Sequence, residues 1–224
     1  SVDADRHSDQ LKPEKRVLPF PLQTNVAEKI DTAYHTHPVH EIGILLLPGA
    51  STACLSAATS VLRQANRLAN EPCYRWQLFS ENGLPVTTED GFEISVHQAI
   101  TEVSARRLHR LVVCGGHHYR NPKILSWLSK AGRTDLSIGA IGQGCYPLAR
   151  AGLLDGFNCT THWEYLTSLR EEHPKLQVYP QLFVIDRNRF SCSGGGSVQD
   201  MMLHQLAMEQ GPELAQPVSD MLVC

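Results

Sequence analysis

No CxxC pair occurs among the seven cysteines of this 224-residue chain, and their number is odd. No disulfide framework or cysteine-pair metal site is therefore indicated, and free, mostly buried thiols of a reducing compartment are expected. Positive charge is not in excess. Lys and Arg number 20 against 23 Asp and Glu, a net charge of −3, which gives no general attraction to the phosphates of a nucleic acid. The longest apolar run, Ile42–Leu47, is far too short to cross a bilayer. No basic stretch leads into an apolar one as in a secretory signal, so a cytoplasmic location without membrane contact is expected. Internal repeats and low-complexity segments are missing as well. The first residue is Ser rather than Met, so the natural start is expected to be missing.

What is present is the balance of one large globular domain, with 42% apolar and 19% charged residues. Residues 1–40 are polar and carry Pro13, Pro19, Pro21 and Pro38 without periodicity; they read as a flexible N-terminal arm. Its end, with His35, His37, His40 and Glu41, has the look of a metal cluster. An extended lead-in to the first strand is preferred, because no partner pair follows at a known ligand spacing. Beyond it, Ile42–Leu47 reads as a buried strand. Ser51–Asn70 repeats apolar residues at 3.6-residue spacing and reads as a helix. Strands are expected at Tyr74–Phe79 and Arg110–Cys114, and a hairpin over Val86–Val96 turning at Glu89-Asp90-Gly91. Pro122–Ala131 should be helical. Phe157–Thr161 should be a strand leading to a helix over about Trp163–His173. Gln177–Val178 and Gln181–Ile185 should extend the sheet, with Phe190–Cys192 pairing back on the latter. Ser197–Glu209 should be a helix, and an amphipathic segment starts near Pro212. This alternation argues for an α/β domain with a mostly parallel sheet.

One segment is more informative than the rest. The apolar run Leu136, Ile138, Ala140, Ile141 stops at Gly142-Gln143-Gly144 and gives way to a helical pattern from Cys145 to Arg150. A strand, a sharp glycine turn and a helix start place a bare backbone or one side chain at the carboxyl end of a parallel strand, where ligands of α/β folds gather. Hydrolases set a Ser or Cys nucleophile on such an elbow. The residue at the apex here is Gly142, which has no side chain.

Five segments in order then carry a resemblance. They are ILLLPG from Ile44 with the LRQANRL run of Leu62–Leu68; LVVCGG at 111–116; IGAIGQGCYPLARAGLLDG at 138–156; CTTHWEYLTSLREEHP at 159–174; and LFVIDRNRFSCSGG at 182–195 with Asp200-Met201-Met202-Leu203. Together they resemble the sensor half of AraC-type transcription regulators of the GlxA kind, itself similar to the class I glutamine-amidotransferase and PfpI-type fold. The resemblance implies a flavodoxin-like three-layer sandwich over about residues 41–212, usually a homodimer. It also implies that 213–224 begins a linker to a C-terminal DNA-binding domain not in this chain. Enzymes of that fold use an elbow thiolate, a His after the next strand, and an acid from the first loop. Mapped here these fall on Gly142, His162 and the neighbourhood of Cys54, which has no carboxylate, so no catalytic residue, cofactor or metal is assigned.

A binding site is expected in place of the chemistry. Gly115-Gly116 and Gly142-Gln143 offer backbone N–H groups for a carboxylate. Trp163 and Tyr146 offer aromatic faces for a cation, with core or dimer packing as the alternative. Glu164 either pairs a positive group or charges the first turn of its helix. His162 is either a pocket residue or a packed histidine, and His117, beside His118, is placed near the site with side chains expected to diverge. Cys145 sits in the first helical turn, where a lowered pKa is conceivable; small-residue packing is preferred. The effector that fits is a zwitterion, an amino acid or a betaine-like acid, and relatives of this kind respond to such nitrogen compounds. The rivals are a Cys-dependent hydrolase or amidotransferase, and a dimerising module with a vestigial pocket.

Overall fold

Buried apolar runs too short to be helices, each separated by a helix-length segment, leave the chain one economical solution: parallel strands joined by helical crossovers. The computed structural model describes residues 38–222 and shows that arrangement. Strand β1 (His40–Leu46) leads to helix α1 (Thr52–Leu68) and strand β2 (Tyr74–Ser80). A hairpin of β3 (Val86–Thr87) and β4 (Glu93–Ile94) follows, then β5 (Gln98–Ala99), two single 3-10 turns, β6 (Arg110–Cys114), α2 (Pro122–Ala131), β7 (Ser137–Ile141) and α3 (Cys145–Arg150). After β8 (Asn158–Cys159) and a 3-10 turn at Trp163–Tyr165 come α4 (Leu166–Glu172), β9 (Gln177–Val178), β10 (Phe183–Asp186), β11 (Arg189–Cys192), α5 (Gly196–Gln210) and α6 (Pro212–Leu222).

Seven strands form the central sheet in the order β10-β11-β7-β6-β1-β2-β5. All neighbours are parallel except β10, which runs antiparallel to β11. The expected α/β class with a mostly parallel sheet is what the chain adopts. Alternation along β1 sorts the core into two halves. Ile42, Ile44 and Leu46 pack with the buried stripe Leu55, Ala58, Val61 and Leu62 of α1 and with Met201, Met202 and Leu206 of α5. Leu45, with Leu111 and Val113 of β6, packs with Ile124 and Leu128 of α2 and Tyr146 and Leu148 of α3. Helices therefore cover both faces, three layers in all. α1 begins where it does because the Ser51 hydroxyl accepts from the Cys54 amide; α2 begins at Asn121, whose side chain accepts from the Lys123 amide, with Pro122 in the first turn.

Two expectations need correction. Gln177–Val178 does not extend the central sheet: β8 and β9 pair only with each other, in a separate two-stranded parallel sheet, and of Phe157–Thr161 only Asn158–Cys159 is strand. The edge strand β5 was not expected, because two residues give no alternation to read. Residues 212–222, where an amphipathic segment was expected to start near Pro212, are helical, with Ala215 and Val218 buried against the α1 and α5 side of the sheet. His35 and His37 lie outside the described residues. His40 opens β1, and among the described residues no group of three or more His, Cys, Asp and Glu could hold a metal ion.

The amino ends of the strands are held by a polar cluster. Arg110, buried at the start of β6, forms an ion pair with Glu209 near the end of α5. The Tyr74 hydroxyl donates to the other Glu209 oxygen at 2.6 Å, and His40 Nδ1 lies 3.6 Å from it. His109 stands 5.1 Å from the His40 ring, and its Nδ1 accepts from the Glu41 amide. Burial, then the neighbouring His109 and Arg110, lower the His40 pKa below its ordinary 6.5. The folded chain thus prefers neutral His40. Stability from this group is full above about pH 6.5 and declines as pH falls toward the lowered folded value. Denaturant unfolding between pH 7 and pH 5 should show that decline, and His40→Phe should flatten it; an unchanged slope would remove His40 from the account.

Candidate functional site

β7 ends at Ile141, and the chain turns at once into α3. The turn needs a left-handed residue, and Gly142 supplies it at φ +58°. A Cβ built there would meet Ser51 Cβ at 3.5 Å, Cys114 Sγ at 3.8 Å and Cys54 Sγ at 4.0 Å. These are ordinary contacts, so the apex has room for a Cβ that the sequence does not provide, and that Cβ would pack against the first turn of α1 and the end of β6. Thr52, in the same turn, has a buried hydroxyl without a hydrogen-bond partner.

Gly115 and Gly116 follow β6 and serve a closer purpose than amide display. A Cβ on Gly115 would lie 2.6 Å from the Leu47 carbonyl oxygen and 2.8 Å from the Ala50 nitrogen. The loops after β1 and β6 are stitched together there: the Leu47 amide donates to the Cys114 carbonyl and the Gly116 amide to that of Pro48. These glycines let two strand ends approach.

On the other side of the turn the structure gathers rings. Gln143 Nε2 donates to the Tyr165 hydroxyl at 2.8 Å. His117 stacks on Tyr146 at 4.1 Å and on His118 at 4.4 Å, and meets Tyr165 edge-on at 5.1 Å. The tandem histidines therefore stack and do not diverge. Burial, then His118, lower the His117 pKa from its usual value. Tyr146 is wholly buried and belongs to the core. Trp163 is the opposite case: at 73% exposed it is not a core residue. Its neighbour His162 stands 5.5 Å away ring to ring, and His162 Nδ1 accepts from the Glu164 amide, so the histidine caps the 3-10 turn. Glu164 is exposed. The structure brings Gln143, Tyr165, His117 and Tyr146 together; the atoms nearest the apex belong to Ser51, Cys114 and Cys54, not to His162.

Cys145 is buried, and its thiol donates to Thr161 Oγ1 at 3.1 Å instead of meeting His117 or His162. Burial outweighs that hydrogen bond and pushes the thiol up to about 11. Cys114 is likewise pushed well up by burial, then by Cys54 nearby. These are packed thiols and not poised nucleophiles. The six described cysteines, Cys54, Cys73, Cys114, Cys145, Cys159 and Cys192, are free and buried, as expected.

Residues missed by sequence reasoning are Ser51, Tyr165 and Glu89. The Glu89 amide donates to the Ala50 carbonyl at 3.0 Å, which fastens the β3–β4 hairpin beside the start of α1. Tyr165 lay in an expected helix, with nothing local to say which way it faced. A separate cleft of about 300 Å³ lies between α5 and α6, lined by residues including Phe183, His204 and Pro212; none of the glycine-turn residues reaches it.

Comparison with known proteins places this geometry. The model of the DJ-1/PfpI family matches residues 44–208, and the chain belongs to that family. It is 37% identical over 185 residues to the HTH-type transcriptional regulator GbdR of Pseudomonas aeruginosa, covering 81% of this chain and 50% of that protein. It is 38% identical over 181 residues to the regulator CdhR of the same species, covering 80% and 53%, respectively. The regulator GlxA of Rhizobium meliloti is 34% identical over 186 residues, covering 81% of this chain and 57% of its own length. The chain thus spans about half the length of these curated relatives. Among solved structures, an AraC family transcriptional regulator from Pseudomonas putida superposes with a TM-score of 0.73 at 29% identity, over 82% of this chain and 99% of that one. Drosophila melanogaster DJ-1beta, at 19% identity and a TM-score of 0.70 over 83% and 98%, shares the fold.

Two measurements check the local account. Gly142→Ala should cost about 1–2 kcal/mol, the left-handed backbone alone, since its Cβ has room. Gly115→Ala adds backbone overlap and should cost about 1–3 kcal/mol more; equal losses in urea unfolding would refute the distinction. Cys145 should resist alkylation at pH 7 in the folded chain and react in denaturant, read by peptide mass spectrometry. Rapid native labelling of Cys145 would contradict its burial.

Proposed function

We propose that this chain is the non-catalytic effector-sensing and dimerisation part of an AraC-family transcription regulator, working in the cytoplasm as a homodimer. It takes a small zwitterionic nitrogen metabolite, an amino acid or a betaine-like acid, at the carboxyl ends of β6 and β7. The observation that carries this reading is Gly142: at a strand-to-helix turn where a nucleophile would need a side chain, there is only backbone. Acyl transfer through an enzyme nucleophile requires that group and a base to activate it. Cys145, the thiol of the alternative Cys-dependent hydrolase or amidotransferase, is buried with a raised pKa.

Several facts support the sensing reading. The curated relatives are named as transcriptional regulators. The turn amides about Gly142 and Gln143 suit a carboxylate. Exposed Trp163 and Glu164 offer a ring and a negative charge at the rim. DNA contact is assigned to a domain outside this chain, in keeping with its net charge of −3. No helix among the described residues is long and apolar enough to cross a membrane.

A thermal-shift screen of amino acids, betaines, carnitine and polyamines tests the proposal. One compound or close group should raise the melting temperature. Binding to the folded state alone stabilises by about 2.7 kcal/mol at a hundredfold excess over Kd. If nothing shifts the melting point, the pocket is vestigial and the module only dimerises. Turnover of an amide or ester substrate that alkylation abolishes would establish the enzyme instead.

A further inference from the structure

The cleft between α5 and α6 is lined mostly by apolar side chains and ringed by acids. Leu203 and Ala207 of α5, Pro212 and Ala215 of α6 and Phe183 at the start of β10 line it, with Asp200 toward the start of α5. Exposed Leu182 adjoins the Phe183 wall. The two helices carry Asp200, Glu209, Glu213 and Asp220, and no Lys or Arg. Glu209 is taken up by Arg110; the other three have no basic residue on either helix to offset them. Such a surface suits an apolar segment that brings positive charge with it. α6 itself is thinly held: Ala215 and Val218 are its buried residues, and Pro217 interrupts its hydrogen-bond ladder.

The otherwise polar N-terminal arm holds a segment of that kind. Val17-Leu18-Pro19-Phe20-Pro21-Leu22 carries four apolar side chains and two prolines, and Lys12, Lys15 and Arg16 precede it against the single acid Glu14. The arm enters the body beside the groove: His40 Nδ1 is 3.6 Å from Glu209, which lies three residues before Pro212. The fifteen residues 23–37 intervene. They can span up to roughly 50 Å, whereas Asp200 to Ala207 covers roughly 10 Å of helix, so reach is not limiting. Roughly three residues of extended chain fit that length, enough for Phe20 with a proline on each side. Those prolines restrict the run beforehand, so docking it costs less freedom. Both the arm and α6 lie outside residues 44–208 that the family model matches.

We propose that residues 17–22 dock in the α5–α6 groove of the same molecule, with Phe20 as the anchor and Lys15 and Arg16 set against the carboxylates of the two helices. The arm is then a strap that holds α6 onto α5. This surface is separate from the strand-end site and does not depend on the effector reading.

The full chain with photoreactive p-benzoylphenylalanine in place of Phe20 tests the proposal. An equal mixture of ordinary and heavy-nitrogen-labelled chains separates contacts within one molecule from contacts between two. Irradiation and peptide mass spectrometry should join position 20 to Phe183 or to residues 200–219, in same-isotope pairs only. Hydrogen exchange gives a second readout without the cross-linker. Phe20→Asp should speed amide exchange in α6 by at least about threefold, because a contact that holds the helix is lost, while α2 exchanges as before. Asp200→Lys, at an exposed lining position, should act in the same direction. Cross-links in mixed-isotope pairs would assign the groove to a second copy's arm and overturn the proposal. Cross-links elsewhere or none, or α6 exchange indifferent to Phe20→Asp, overturn it as well.

Discussion

A parallel strand cannot reach its neighbour through a tight turn; the chain must leave at one edge of the sheet and travel back along a helix before it can pair. The gathering of the candidate site follows from that constraint. β1, β6, β7 and β11 all finish at the same edge, so the turns after them, and the first turns of α1, α3 and α5, are brought together there. Residues distant in sequence become neighbours without any local signal: Ser51 and Cys54 come from one crossover, Cys114 from a second strand, Gly142 from a third. Gly115 and Gly116 then set how near two of these strand ends can lie.

The opposite edge carries a different burden. Glu209 is only partly exposed and satisfies Arg110 and Tyr74 together, while His40 stands close by. Removing one partner of such a pair leaves a charge in a poorly solvated place, which costs far more than the pair itself contributes. The arrangement accordingly fixes where the end of α5 sits over the start of β1, β2 and β6. Burial lowers the Arg110 pKa to about 10 and still leaves the guanidinium charged at neutral pH, so this lock persists while His40 titrates beside it.

Legibility in the sequence tracked the physical range of each signal. α1 and α2 were readable because an amphipathic period and a side-chain cap are local facts; α2 was expected and found at Pro122–Ala131. The strand, glycine turn and helix about Gly142 were readable for the same reason. β5, β8 and β9 have two residues each, too few for alternation, and their pairing is decided by where longer elements leave them. Burial at the site was less visible still. Tyr146 and Trp163 are both aromatic residues near helix starts, yet one is wholly buried and the other open to solvent. What separates them is the packing of α3 against β7 and the rings of His117 and Tyr165, which no window of sequence contains. Glu89 was read as a turn residue, which it is; that the turn is fastened to Ala50 is a tertiary fact.

The bare turn also bears on what a substitution there would do. A side chain at position 142 would find ordinary contact distances at its Cβ, at the strain of a left-handed backbone. A cysteine placed there would not by itself be a ready nucleophile. Its sulfur would arrive beside Cys114 and Cys54, and a two-electron oxidant would couple it to either as a disulfide. Coupled to Cys54 it would tie the turn after β7 to the first turn of α1; coupled to Cys114 it would tie that turn to the end of β6.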